Sequence, residues 1–416
     1  MIISQLRLNR FQLDARLLII GSGIIAVSFF GVQNLLKTLY LLRMGYDLSY
    51  IGIFSAAGSL TYMVMSLLSG VIASRFGNRS VMLLGGIVTT LGMALLPLAE
   101  FVPTSLHYWF PLFTQFVVSA GWAFYNISFV PALMTSASAE NRNTAFALSS
   151  TFRGLGTFVG TLIGGMLPGF FAFLLKQPVD QPAPYRYALL VGAALGLVAL
   201  VPILRMESSD TTVQQSSASP EIESAFPILG MVLLILHVYF GNSSAALCQV
   251  FCNAYMDREL HFSTAFIGLL TGIGQFVAIV SPLIAPRLAQ RRGNAWILMM
   301  TTCGTALSLL PLIYIHNWFG AGIGSLGTLT LSAMWMPALQ VYQMEMVSKR
   351  WRTIAYGVLS MGMSFTFTSV SLAGGYIATH WGYQSLFLLG VGASLIGSLL
   401  MAGMRRVPRL MATHGG

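Results

Sequence analysis

The chain has 416 residues, of which 56% are hydrophobic and only 8% are charged, with 22 Lys and Arg against 12 Asp and Glu. Soluble proteins use charged residues at about a quarter of their positions, so this chain has too little charge to cover a soluble surface. Residues 293–344 and 353–404 contain no charged side chain, and each stretch accommodates two helices that cross a hydrocarbon core about 30 Å thick. The composition excludes a soluble enzyme, a nucleic-acid-binding protein and a disordered chain, and it predicts a protein of the lipid bilayer.

Apolar segments separated by charged residues, glycine and proline predict the helices of this protein. In chain order, the twelve predicted helices cover 17–42, 50–74, 80–99, 107–135, 143–170, 186–204, 226–256, 262–286, 294–315, 319–344, 353–379 and 382–404. The long polar segment 205–225 is rich in Ser and Thr and has no apolar period, which is typical of a flexible linker. We therefore predict an all-α polytopic membrane protein with six-helix bundles at 1–204 and 226–416.

Basic residues in the loops predict the orientation, because cytoplasmic loops are enriched in Lys and Arg. One predicted side of the membrane has only four, which are Arg43, Lys176, Arg186 and Arg258. The other side has sixteen, which are Arg7, Arg10, Arg16, Arg75, Arg79, Arg142, Arg205, Arg287, Arg291, Arg292, Lys349, Arg350, Arg352, Arg405, Arg406 and Arg409. This bias predicts a multi-pass protein of the cell membrane whose termini and linker are cytoplasmic.

The two halves of the chain are related by an internal repeat. A shift of 216 positions aligns 50–78 with 266–294, and nine of these 29 positions are identical. A shift of 210 positions pairs Arg142 with Arg352 and Gly164-Gly165 with Gly374-Gly375. Two parallel six-helix repeats predict a pseudo-symmetric transporter.

A loop motif at 70–79 reads Gly-Val-Ile-Ala-Ser-Arg-Phe-Gly-Asn-Arg. It resembles the loop between helices 2 and 3 of the major facilitator superfamily, usually Gly-x-x-x-Asp-Arg-x-Gly-Arg-Arg, although Ser74 replaces the acid and Asn78 replaces a basic residue. A second, equally degenerate copy covers 286–293. The resemblance implies a monomeric transporter of twelve helices without a cofactor. It also implies a conformational role for the loop residues Arg75, Gly77, Arg79, Arg291 and Gly293. The alternative is that these basic side chains only provide the cytoplasmic charge bias.

The fifth predicted helix contains a glycine motif at 156–165, Gly-Thr-Phe-Val-Gly-Thr-Leu-Ile-Gly-Gly. It is similar to the helix-5 motif of drug/proton antiporters in the same superfamily, but it lacks their proline. The similarity favours export. The alternative is that glycines at every fourth position only allow helices to pack closely.

Two basic residues lie inside predicted helices, where an ionisable side chain is costly and therefore a functional candidate. Arg153 lies about ten residues into the fifth helix, which is about 15 Å at the rise of an α-helix. Lys37 lies one turn from Gln33 in the first helix, unless its amine extends to the membrane surface. The 216-residue shift pairs Gln33 with Gln249 and Lys37 with Asn253, which predicts a pseudo-symmetric binding site.

Other polar and aromatic residues inside the helices complete the candidate binding site. They are Trp122, Asn126, His237, Gln275, Trp335 and Gln340. Gln115, Ser119, Trp122 and Asn126 recur at the spacing of one helical face. By resemblance to the superfamily, helices 1, 4, 7 and 10 line the solute cavity. The alternative for each residue taken singly is packing between helices.

No acidic residue lies near the centre of a predicted helix. Proton-coupled transporters commonly use a membrane-embedded carboxylate. Proton coupling would therefore use His237, whose titration range suits it, or an acid at a helix end such as Asp257 or Glu345. Otherwise the protein is a uniporter or an exchanger, and a counter-transported anion compensates the two cations.

The motifs of metal-dependent and nucleotide-binding enzymes, HExxH, CxxC and the Walker loop, are missing from the sequence. The three cysteines, Cys248, Cys252 and Cys303, lie in apolar runs and predict small core residues rather than disulfides. We predict a secondary transporter, not an enzyme, that moves a small organic, anionic or amphipathic solute by alternating access, with export favoured. The alternative is a carrier that moves lipids or other amphiphiles between leaflets.

Overall fold

The computed structural model describes residues 12–137, 141–206, 227–347 and 352–406, and every regular element in these ranges is helical. Several positions used in the orientation and linker predictions lie outside the described residues: Arg7, Arg10, 207–225, Lys349, Arg350 and Arg409.

The helices of the described ranges group into twelve, as predicted, and each predicted end lies within six residues of the observed one. They are α1 (Leu13–Arg43), α2 (Leu48–Phe76), α3 (Asn78–Phe101), α4 (Trp109–Ser136), α5 (Arg142–Leu175), α6 (Pro182–Leu204), α7 (Ile228–Arg258), α8 (264–292), α9 (Asn294–Tyr314), α10 (Trp318–Met346), α11 (352–381) and α12 (383–406). A short 3₁₀ turn, Thr104–Leu106, lies between α3 and α4.

Nine helical stretches of the described chain are long and apolar enough to cross a membrane. One of them, Ala355–Arg405, covers most of both α11 and α12, which are two separate helices because the backbone breaks at Gly382. A shorter apolar helix, Thr264–Val280, begins α8. The protein is therefore a multi-pass membrane protein.

Glycines with a left-handed backbone make three one-residue turns between consecutive helices. Gly77 joins α2 to α3 and Gly293 joins α8 to α9, each with φ of 82° and with ψ of 148° and 159°. Gly382 joins α11 to α12 with φ of 76°. A side chain is strained at such an angle. The same conformation at Gly77 and Gly293 extends the sequence repeat to the backbone.

The contacts between residues divide the chain into two compact units. Unit 1 contains Met1–Asp47, Ala57–Val213 and Phe262–Gly272. Unit 2 contains Leu48–Ala56, Gln214–His261 and Ile273–Gly416. The domain boundaries at 204 and 226 lie beside the linker, and they stay a prediction.

Glycines in unit 1 bring α5 into backbone contact with α1. Gly156 lies against the carbonyl group of Gly23, and Gly160 lies against the backbone of Val27. Gly31 of α1 in turn lies against Gly160. This part of α1, Ala26–Gln33, has π-helical hydrogen bonding. The glycine motif of the fifth helix therefore packs two helices of one unit together, which is the structural alternative raised by its sequence.

Helix α7 of unit 2 is locally distorted at Asn242, and a serine of α12 hydrogen-bonds to the backbone beside the distortion. An α-helical segment ends at Gly241 and the next begins at Ser243. Ser394 Oγ accepts a hydrogen bond from the backbone N–H of Ser244 at 3.2 Å, and its hydroxyl lies 2.7 Å from Ser244 Oγ. Within a membrane, a backbone group without a partner in its own helix requires one from a neighbouring helix.

The prediction that no cysteine forms a disulfide was wrong for one pair. Cys248 and Cys252 are bonded to each other, and Cys303 is free. Both paired cysteines are buried in the π-helical segment Cys248–Cys252 of α7. The two side chains lie about one turn apart on the same helix, so they meet without closing a long loop. The cysteine spacings that indicate a disulfide closing a chain loop therefore did not predict this bond.

Candidate functional site

Five aromatic residues of α1 and α4 form a stacked cluster inside unit 1, and Arg153 of α5 lies against it. The aromatic cluster comprises Phe29, Phe30, Trp122, Tyr125 and Phe129. Phe29 stacks on Trp122 with ring centres 4.4 Å apart, and Trp122 stacks on Tyr125 at 5.4 Å. The guanidinium carbon of Arg153 lies 5.6 Å from the ring centre of Phe30 and 6.0 Å from that of Phe129. The structure thus brings two predicted site residues, Trp122 and Arg153, into one cluster.

The Arg153 guanidinium has no hydrogen bond and no ion pair within the described part of the chain. Its polar surroundings are the hydroxyls of Tyr62 and Tyr125, which are close enough to interact electrostatically. A cation over an aromatic face gains about 0.5–2 kcal/mol, but its five N–H donors remain available. A partly buried guanidinium with free donors matches the two oxygens of a carboxylate or phosphate.

The predicted polar face of α4 is directed at α2 within unit 1. Gln115 Nε2 donates to Ser119 Oγ at 3.3 Å, and Gly58 of α2 lies against both side chains. Asn126 Nδ2 donates to the hydroxyl of Tyr62, also in α2, at 2.9 Å. Asn126 therefore links two helices in this structure, and its amide holds Tyr62 beside Arg153.

Gln33 and Lys37 of α1 have polar groups without partners. The buried Gln33 Oε1 has no hydrogen bond within the described chain. The partly buried Lys37 amine likewise has no hydrogen bond or ion pair to any described residue. Lys37 makes no ring contact with the aromatic cluster, so the structure does not join it to Arg153.

The predicted residues His237 and Trp335 meet in unit 2. His237 Nδ1 lies 2.8 Å from the carbonyl oxygen of Gly397, and Trp335 Nε1 donates to His237 Nε2 at 3.3 Å. Because an indole N–H only donates, Nε2 must accept and Nδ1 must carry the proton. The imidazole is therefore neutral in this arrangement, and Trp335 occupies the lone pair that a transported proton would need.

The remaining predicted binding residues, all in unit 2, differ in their exposure. Gln249 of α7 and Gln340 of α10 are exposed, whereas Asn253 and Gln275 are partly buried. Gln33 is buried, so the repeat-related pair Gln33 and Gln249 has two different environments. Both residues lie in π-helical segments, Gln33 in Ala26–Gln33 of α1 and Gln249 in Cys248–Cys252 of α7.

The loop residues predicted to control conformation are found at the glycine turns. Arg79 donates to the carbonyl oxygens of Ile203 at 3.3 Å and Leu204 at 2.9 Å, the last residues of α6. A cation is favourable at a helix C-terminus. Arg75 and Arg291 are exposed. At the second turn, Asn294 Nδ2 donates to the Glu345 carboxylate at 3.3 Å. Arg79 therefore stabilises one unit, and a role in conformational change stays a prediction.

Sequence analysis missed the partners that surround Arg153 and the ion pairs Arg43–Asp180 and Arg186–Glu100. Phe30, Phe129 and Tyr62 are apolar or aromatic residues in apolar helices, and no sequence pattern distinguishes them from packing residues. Arg186 of α6 donates to Glu100 of α3 at 2.8 Å, and both side chains are mostly buried. The two residues are far apart in the sequence. Arg186 begins the predicted helix 186–204 and Glu100 directly follows the predicted helix 80–99, and this position at helix ends was the available signal.

A helical membrane protein with twelve helices, built from two sequence repeats, has the architecture of a secondary transporter. The family model of the Major Facilitator Superfamily matches residues 18–253 and 232–413, which together span nearly the whole chain. The chain therefore belongs to the Major Facilitator Superfamily of membrane transporters.

Two curated relatives are similar to this chain along most of their length. An uncharacterized MFS-type transporter of Mycobacterium tuberculosis is 22% identical over 97% of this chain and 88% of its own. The multi-drug resistance efflux pump PmrA of Streptococcus pneumoniae is 24% identical over 81% of this chain and 82% of its own.

Solved structures of the same superfamily share the fold at low identity. The nucleoside transporter NupG superimposes with a TM-score of 0.73, 15% identity, and coverage of 94% of this chain and 99% of its own. A D-xylose-proton symporter has a TM-score of 0.72, 15% identity, and coverage of 94% and 95%. These similarities concern the fold alone.

Proposed function

We propose that this transporter moves a small organic anion with an apolar or aromatic body, and that Arg153 holds its negative group. The observation that carries the proposal is the Arg153 guanidinium, which has aromatic neighbours but no acidic partner among the described residues. An unpaired charge away from water is unfavourable. A bound carboxylate or phosphate removes that penalty, and the aromatic cluster contacts the rest of the solute.

The Lys37 amine supports an anionic solute as a second cation without a described partner. It lies in α1, the same helix that contributes Phe29 and Phe30 to the aromatic cluster. A neutral sugar or a cationic drug would leave both positive charges uncompensated. This supports an anion over those two classes of solute.

Export by alternating access is the direction that we propose. Its support is the similarity to the efflux pump PmrA and the glycine motif of α5. The proposal places both termini in the cytoplasm, and it assigns Arg75, Gly77, Arg79, Arg291 and Gly293 to the loops that change during the transport cycle. In this proposal the transported anion compensates the positive charges of Arg153 and Lys37. A monomer without a cofactor is therefore sufficient for transport.

The test is thermal stabilisation of the purified protein by a library of organic acids, with matched neutral amides as controls. We expect some acids to raise the melting temperature of the wild type and of Arg287→Ala, which removes an exposed arginine. Arg153→Ala should lose this response, and Arg153→Lys should retain part of it because the charge remains but the bidentate fork is lost.

Equal stabilisation of wild type and Arg153→Ala by every acid that binds would contradict the role of Arg153. Stabilisation by amides rather than acids would contradict an anionic solute. Uptake into everted vesicles then tests direction, since an exporter accumulates the acid there. Transfer of labelled lipid between leaflets, without uptake of any soluble acid, would favour the lipid carrier instead.

A further inference from the structure

Unit 2 contains a small cavity between α7, α9 and α10. The side chains that matter for its chemistry are those of Asn242, Thr301, Thr302, Thr305, Ser332 and Trp335. The cavity has room for one occupant the size of a water molecule. The lining residues belong to unit 2, whereas the aromatic cluster and Arg153 belong to unit 1.

Three threonines of α9 present oxygen lone pairs to this cavity rather than protons. Thr301 Oγ1 donates to the carbonyl oxygen of Ile297 at 2.7 Å, and Thr302 Oγ1 donates to that of Leu298 at 2.7 Å. Thr305 Oγ1 donates to the carbonyl oxygen of Thr302 at 2.8 Å. A hydroxyl has one proton and two lone pairs. Each threonine has therefore used its proton on its own helix and acts as an acceptor towards the cavity.

Two further oxygen groups of the cavity have no partner in the described chain. Ser332 Oγ is buried and makes no hydrogen bond. The Asn242 carboxamide of α7 likewise makes no hydrogen bond to any described residue. A buried polar atom without a partner costs about 1–3 kcal/mol, so this arrangement favours an occupant that binds oxygen.

No charged side chain among the described residues lines this cavity, so neither a strongly bound anion nor a divalent ion is favoured. The indole N–H of Trp335 is directed to His237, and the imidazole is neutral because Gly397 and Trp335 occupy both of its nitrogens. The lining has no Asp or Glu, whereas Ca²⁺ and Mg²⁺ sites generally use carboxylates. A lining of uncharged oxygen groups fits a monovalent cation such as Na⁺ better than a divalent one.

We propose that this cavity is a binding site for Na⁺, formed by oxygens of Asn242, Thr301, Thr305 and Ser332. The site joins α7 to α9 and α10, so the ion would stabilise unit 2 in the arrangement described here. The proposal does not depend on the anion assigned to Arg153, because it concerns other residues and another ligand.

The test compares melting temperatures of the full-length purified protein in NaCl, KCl and choline chloride at equal ionic strength. We expect a saturable increase with Na⁺ that choline and K⁺ do not reproduce. Ser332→Ala and Thr305→Val each remove one oxygen with little change in size, and we expect each to weaken the apparent Na⁺ affinity by about tenfold or more. Thr328→Val is the matched control, because Thr328 is a buried threonine of α10 with a hydroxyl bonded within its own helix.

Several outcomes would overturn the proposal. One is a wild-type response that is the same in all three salts, and another is an unchanged Na⁺ response in both Ser332→Ala and Thr305→Val; in either case the cavity holds only water. Loss of the response in Thr328→Val as well would show a general effect of unit 2 instead of a site. If a cavity variant does not fold, ²³Na NMR of the wild type decides. Specific binding requires that the protein broadens the ²³Na line and that excess Li⁺, a competing ion, reverses the broadening whereas choline does not.

Discussion

Replacing Gly160 by alanine tests whether the glycines of α5 hold α1 and α5 in contact. A Cβ at position 160 would lie 2.7 Å from the Cα of Val27 and 2.8 Å from its carbonyl carbon. Non-bonded carbons rest about 3.5–4.0 Å apart, so the two backbones would have to separate by about 1 Å. Both neighbours are backbone atoms, which no side-chain rotation relieves.

The expected loss of stability follows from two opposing effects. Overpacking a close contact costs about 1–3 kcal/mol, whereas alanine in a helix interior is more favourable than glycine by about 0.5–1 kcal/mol. We therefore expect Gly160→Ala to lower the free energy of unfolding by about 1–2 kcal/mol. The π-helical segment of α1 lies at this contact. Moving the two helices apart therefore also removes close packing from this irregular part of the α1 backbone.

The assay is unfolding in mixed detergent micelles with increasing dodecyl sulfate, followed by circular dichroism and tryptophan fluorescence. Gly169→Ala is the control on the same helix, because a Cβ there meets no atom within 4 Å. We expect this control to be neutral or slightly stabilised. The reasoning is refuted if Gly160→Ala and Gly169→Ala unfold at the same detergent fraction.

Two further substitutions test contacts within the units by the same unfolding assay. Trp335→Phe leaves His237 Nε2 without its donor, and we expect the unpaired buried nitrogen to lower the free energy of unfolding by about 1–3 kcal/mol. The same change at the exposed Trp381 should have little effect. Equal losses in the two variants would contradict this explanation. Arg79→Ala removes two hydrogen bonds to the end of α6, and we expect a loss of about 1 kcal/mol that Arg75→Ala does not show.

Much of the helical architecture follows from local sequence patterns. Charge-free runs of sufficient length predict membrane helices, since unpaired backbone groups are not tolerated in lipid and the helix pairs them internally. The turns at Gly77 and Gly293 also agree with the sequence, because residues other than glycine rarely adopt their positive φ. Arg153 was a functional candidate from depth alone, because a charge inside a predicted membrane helix is costly.

The surroundings of the candidate residues were not predictable from these patterns. The sequence repeat pairs Gln33 with Gln249, but Gln33 is buried and Gln249 is exposed, and both lie in π-helical segments that a regular 3.6-residue period does not describe. The same local geometry lets Cys248 reach Cys252, which sequence spacing did not indicate.

The sequence by itself determined that this protein lies in the bilayer, that it has twelve helices in two related halves, and that Arg153 is a charge in an unfavourable place. Only the tertiary structure decided that Arg153 faces Phe30 and Phe129 rather than an acid, and that Trp335 keeps His237 neutral. The physical reason is that hydrophobicity and backbone pairing act along each segment and leave a local signature. The partner of a polar side chain depends instead on which helix packs beside it, and residues far apart in the chain determine that together.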